Sequence, residues 1–291
     1  MKKVFIQILK ALGYFAVYLT AQNLVSLVIN IVLGYQMGRE AKALGLTYEQ
    51  GLQNFNDKMA SLTGIMLMVS AILALITFFI IEKVKKTSIV KETDIKKVSV
   101  KQGALIAAAA VGGMFFLNFI MNFLPIPSDV VGELSQGMSK LSTYPFWQAM
   151  LANALLIPIL EEVVFRGYIF SRLDKAMPSV VAAIISSLVF GLCHGGILWA
   201  SWAFVFGMII CVARIKTGSI IPGMIFHIIM NIFGTVTSYF PIFDNTSDTV
   251  MTILTIAGGV VLAGAIAGII LDKNKTSGGN KAEVTVSSAK M

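Results

Sequence analysis

The chain has 291 residues, 56% hydrophobic and 13% charged, with a formal net charge of +8. So small a charged fraction excludes an ordinary water-soluble globule, and the Lys and Arg residues lie between apolar segments without the interleaved aromatics of a nucleic-acid surface. The two cysteines, Cys193 and Cys211, both sit inside apolar runs, which excludes a disulfide framework and a CxxC metal site and leaves them as packing residues.

An α-helix needs roughly 20 apolar residues to cross a hydrocarbon core of about 30 Å. Taken in chain order, apolar runs predict eight spans at about 11–33, 62–81, 104–124, 146–165, 179–195, 197–213, 219–238 and 250–271. The predicted fold is therefore all-α, a polytopic membrane helix bundle with about eight transmembrane helices. Lys2 and Lys3 ahead of the first run resemble the start of a signal peptide, but the run is long and lacks a clear A-x-A site, so a retained helix is expected. Segment 36–60 is polar with helical periodicity and predicts an amphipathic helix or loop between the first two spans, and Pro125 and Pro127 break a later loop. The stretch 272–291, rich in Lys, Ser, Gly and Thr, predicts a disordered tail. The expected organisation is thus an N-terminal unit 1–145 of three helices with polar loops, a catalytic core 146–240 of four helices, a last helix within 241–271, and the tail 272–291.

Nineteen of the 23 Lys and Arg residues fall in the N-terminus, the loops after spans two, four and six, and the tail. Since cytoplasmic segments carry the basic excess, both termini are expected in the cytoplasm of a multi-pass protein of the cell membrane.

Ionisable residues inside membrane spans cost about 2.5 to 3.5 kcal/mol each on insertion scales, so each needs a reason to be there. Here they cluster. Span four ends in Glu161, Glu162 and Arg166, span five in Phe190 and His194, and span seven carries His227 and Asn231; the chain has no other histidine. Glu162 and Arg166 are i and i+4 on one helix face and predict an ion pair, while Glu161 points about 100° away and is free to face a cavity. His227 and Asn231 are also i and i+4, so both can converge on one small group such as a carbonyl oxygen. A carboxylate, an imidazole and a separate pair of donors suit water-mediated amide hydrolysis, which needs a proton acceptor and an oxyanion partner. Each feature alone also has a plain structural reading: Glu162 with Arg166 as a buried ion pair, a His or Asn as glue between helices. Trp199 and Trp202 read as interface anchors, and Gly195-Gly196 as a tight turn between spans five and six.

The three patterns, EExxxR at Glu161-Glu162 with Arg166, FxxxH at Phe190 with His194, and HxxxN at His227 with Asn231, resemble the motifs of the CPBP family, the CAAX prenyl protease and bacteriocin-processing group also called Abi. The resemblance covers roughly 146–238 and implies an intramembrane endopeptidase. In that family the first glutamate and first histidine activate water, which falls on Glu161 and His194, and the second histidine and the asparagine form the oxyanion hole, which falls on His227 and Asn231. Glu162 and Arg166 would be supporting residues. The expected reaction uses no cofactor or metal, and the expected partners are the lipid bilayer and a peptide or membrane-protein substrate, with no nucleic acid. A zinc peptidase with Glu161, His194 and His227 as ligands is the alternative within the same class. A non-catalytic membrane protein, such as a bacteriocin self-immunity factor or a scaffold, is the alternative outside it. Straight spans would leave His194 some 9 Å further toward the outer face than Glu161 and His227, unless the hairpin of spans five and six is recessed or tilted.

Overall fold

The computed structural model describes residues 2–272, so the tail expected to be disordered lies, apart from Asp272, outside the described residues. These residues are helical and contain no strand. The ten helices are α1 (Lys2–Ala43), α2 (Tyr48–Val84), the short α3 (Ile89–Glu92), α4 (Val100–Ile120), α5 (Ser128–Leu141), α6 (Phe146–Leu173), α7 (Ser179–Leu192), α8 (Ile197–Thr217), α9 (Ile221–Tyr239) and α10 (Asp248–Leu271). Their limits follow local chemistry. Capping boxes start α2 and α4, where Thr47 and Ser99 accept from the backbone N–H of Gln50 and Gln102 while those glutamines accept from the cap N–H groups. Pro145 and Pro178 precede the first residues of α6 and α7, and Gly218 closes α8 in the left-handed conformation.

Eight of the helices correspond to the eight predicted apolar runs, and seven of these are long and apolar enough to cross a membrane. The chain is therefore a polytopic helical membrane protein. The exception is α7, whose 14 residues extend only about 21 Å. The second departure concerns segment 36–60, which is neither a separate amphipathic helix nor a loop. It forms the adjoining ends of α1 and α2 and the short turn between them; these helices of 42 and 37 residues reach about 63 and 56 Å and pack together where Gly51 meets Ala41. Polar sequence ended the apolar pattern without ending the helix, because nothing in it breaks one before Gly45.

Ion pairs gather one end of the bundle. Glu92, in α3, pairs with Arg172 at the end of α6; Asp94 lies 2.6 Å from Arg214 near the end of α8; Ser219 Oγ donates to Lys96 O over 2.6 Å at the start of α9. Lys101 reaches Asp272 over 3.2 Å, joining the start of α4 to the end of α10. Burial opposes ionisation of Asp94, yet Lys96 and Arg214 prevail and hold its carboxyl below the usual range. This end holds the basic loops of the sequence. At the other end Phe146 packs against Phe240, Phe119 against Phe243, and Tyr239 donates to Tyr144 O. The alternation of chain ends read from Lys and Arg is thus the alternation the bundle has.

Candidate active site

Helix α6 is not a regular α-helix. Two π-helical stretches interrupt it, Ala152–Leu156 and Glu162–Phe170, the second starting at the second glutamate of the motif and including Arg166. The first has a local cause: the Ile157 N–H reaches back to Ala152 O, and the next residue, Pro158, has no N–H to give. Asn153 O is left without a donor in its own helix. Asn231 on α9 supplies one, its Nδ2 donating to Asn153 O over 2.8 Å. The second stretch likewise turns Phe165 O outward, where Ser186 Oγ of α7 donates to it over 2.8 Å.

Glu162 and Arg166 pair as the spacing predicts, Nη1 to Oε1 at 3.0 Å, and both are fully buried. The guanidinium also lies over the Phe190 ring, 4.3 Å from its centre. Glu162 does more than hold Arg166, because His227 Nδ1 lies 3.2 Å from the same Glu162 Oε1. A carboxylate engaged by arginine can only accept, so Nδ1 carries the proton and donates. Nε2 is then turned to Glu161, 3.6 Å from its Oε2. His194 is held in the same sense: Nδ1 lies 2.8 Å from Phe190 O, an acceptor, which leaves Nε2 as the basic nitrogen. Phe190 packs edge-on against both imidazoles, with centre distances of 4.5 Å to His194 and 5.5 Å to His227. It is the spacer that sets the two rings relative to each other.

Glu161, His194, His227 and Asn231 all line one cavity of about 390 Å³. The short α7 is what brings His194 there. The chain turns back through Gly195 and Gly196, whose φ of 64° and 55° suit glycine, well before a full crossing. Apolar side chains of α5, among them Leu134 and Met138, close the cavity at the end away from the basic loops. Trp199 and Trp202, read as interface anchors, line this cavity instead, as does Cys193, read as packing. The first helices, which carry no motif, contribute Tyr18 and Gln22 of α1, Leu67 of α2 and Leu117 of α4. A polar residue recurring one turn after another inside an apolar run was the only trace of the α1 pair in the sequence.

The glutamate pair also depends on a glycine that the motifs do not include. A Cβ on Gly223 would lie 2.4 Å from Glu162 Oε2 and 2.7 Å from Ile210 Cγ2, closer than atoms pack. Gly223→Ala is therefore expected to lower the thermal midpoint of the protein in detergent, on the scale of about 1 to 3 kcal/mol for overpacking. Gly103→Ala, where a Cβ meets open space, is expected not to lower it.

Among the described residues no three His, Cys, Asp or Glu side chains are grouped to hold a metal ion. His227 Nε2 and Glu161 Oε2 stand 3.6 Å apart.

Residues 143–233, which contain the three motifs, match the model of the type II CAAX prenyl endopeptidase Rce1-like family. The chain is 28% identical over 131 residues to the UPF0177 protein YxdF of Lactococcus lactis subsp. lactis (strain IL1403), covering 43% of this chain and 72% of that protein. It is 26% identical over 117 residues to a protein of Bacillus subtilis (strain 168) named "Putative membrane peptidase YdiL", covering 39% of this chain and 46% of that protein. No solved structure matches. The resemblance to the CPBP family read from the motifs holds, and these likenesses support a membrane protease.

Proposed function

We propose that the chain is an intramembrane endopeptidase of the cell membrane that hydrolyses a peptide bond in the cavity between α1, α5 and the α6–α9 core, using water activated by side chains and no metal. The observation that carries this reading is the convergence of Glu161, His194, His227 and Asn231 on one cavity. Glu161 takes the proton of the attacking water, with His194 Nε2 as the second basic atom beside it. Asn231 keeps one amide N–H on Asn153 O and has the other for the oxyanion. His227 reaches the oxyanion through Nε2, which requires a proton on both nitrogens because Nδ1 donates to Glu162. The walls of Leu67, Leu117, Leu134, Met138 and Trp202 favour an apolar segment of a peptide or membrane protein.

The direct experiment compares protein N-termini in membranes of cells carrying and lacking the gene. New N-termini that vanish with the gene identify substrates, and their absence at full expression would sink the peptidase reading. Orientation is tested with single-cysteine variants. An impermeant reagent on intact cells is expected to label position 245, in the loop after α9, and not position 91, in the basic loop; the reverse would invert the topology.

A further inference from the structure

We propose that helix α1 belongs to the catalytic apparatus, with Tyr18 as a positioning residue that fixes the Glu161 carboxylate. The inference rests on the endopeptidase reading above. Tyr18 lies far outside the segment that matches a known family, 143–233.

The Tyr18 hydroxyl donates to Glu161 Oε1 over 3.2 Å, and the residue is only 5% exposed. Gln22, one helical turn further along α1, lines the same cavity. The terminal torsion of a glutamate is broad, so packing alone does not fix the plane of its carboxylate. With Oε1 held by the hydroxyl, Oε2 is the oxygen that faces His227 Nε2 at 3.6 Å. The two oxygens are thereby given different neighbours, and the plane of the proton acceptor is set before water arrives.

The position of α1 is itself well determined. Tyr14, one turn before Tyr18, stacks on Tyr168 with centres 4.0 Å apart and donates to Glu82 over 2.9 Å. Phe15 and Tyr18 both pack edge-on against Phe165, at 6.1 and 5.6 Å. Phenylalanine at position 18 would keep the ring contacts and lose only the hydroxyl.

The test uses purified full-length protein in detergent and a fluorogenic peptide spanning a cleavage site found by the N-terminus comparison. Tyr18→Phe is expected to lower kcat about tenfold, the scale for losing a hydrogen bond to a charged group, with KM and protein yield unchanged. Phe15→Leu, which alters packing around Tyr18 but no polar contact, is expected to leave kcat unchanged. Wild-type kcat in Tyr18→Phe, a change confined to KM or yield, or an equal loss in Phe15→Leu would each overturn the positioning role. Glu161→Gln in the same assay separates the two failures: if it retains cleavage, Glu161 is not the proton acceptor and the proposed mechanism falls, and if it is inactive while Tyr18→Phe is normal only the role of α1 falls.

Discussion

Replacing Glu161 by glutamine is expected to lower cleavage by about a thousandfold or more, within the range of losses for a general base, while the amount of protein in the membrane stays at the wild-type level. The amide keeps the volume of the carboxylate and can still accept from Tyr18 through its oxygen, so the contact to α1 survives. It cannot take a proton from water at neutral pH. Glu161 has no guanidinium partner to strand, in contrast with Glu162, whose neutralisation leaves Arg166 fully buried without its counter-charge. Glu162→Gln is accordingly expected to reduce abundance as well as activity. Measured together by immunoblot of membranes and by cleavage of the identified substrate, the two variants separate chemistry from folding. Normal proteolysis by the Glu161→Gln protein would remove Glu161 from the mechanism.

The second large effect is expected for His227→Ala, about 100-fold or more on kcat, the scale for losing one oxyanion donor. The imidazole lies within reach of both glutamates, at 3.2 Å from Glu162 and 3.6 Å from Glu161. Alanine removes the donor toward the reacting oxygen and leaves Glu162 paired with Arg166 at 3.0 Å, so the loss should fall on turnover more than on stability. Elemental analysis belongs with the kinetics. Purified wild-type protein and His227→Ala are both expected to lack stoichiometric zinc. Zinc near one equivalent in the wild type, lost in His194→Ala and in His227→Ala, with activity restored by added metal, would replace the proposed mechanism by a metal-dependent one.

The membrane character, the eight apolar helices, the alternation of their ends and the identity of the clustered polar residues were all determined by the sequence itself. Apolarity over roughly 20 residues is a local property that lipid demands of any spanning helix. A Glu, His or Asn inside such a run is conspicuous because burying it is costly. The i, i+4 pairing of Glu162 with Arg166 was equally legible, since helical geometry alone brings those two side chains together. What only the tertiary structure decided lies between helices. The return of the chain after Leu192, which resolves the apparent offset of His194, depends on how far α7 penetrates, and an apolar run does not state its depth. That Asn231 is oriented by Asn153 O follows from a π-helical turn ahead of Pro158, a distortion that the residue pattern does not encode. His227 sits between both glutamates, and Tyr18 reaches Glu161 across 143 positions of sequence. These contacts are set by the rotation and register of packed helices, and hydrophobic periodicity is nearly silent on both when lipid and protein interior are equally apolar.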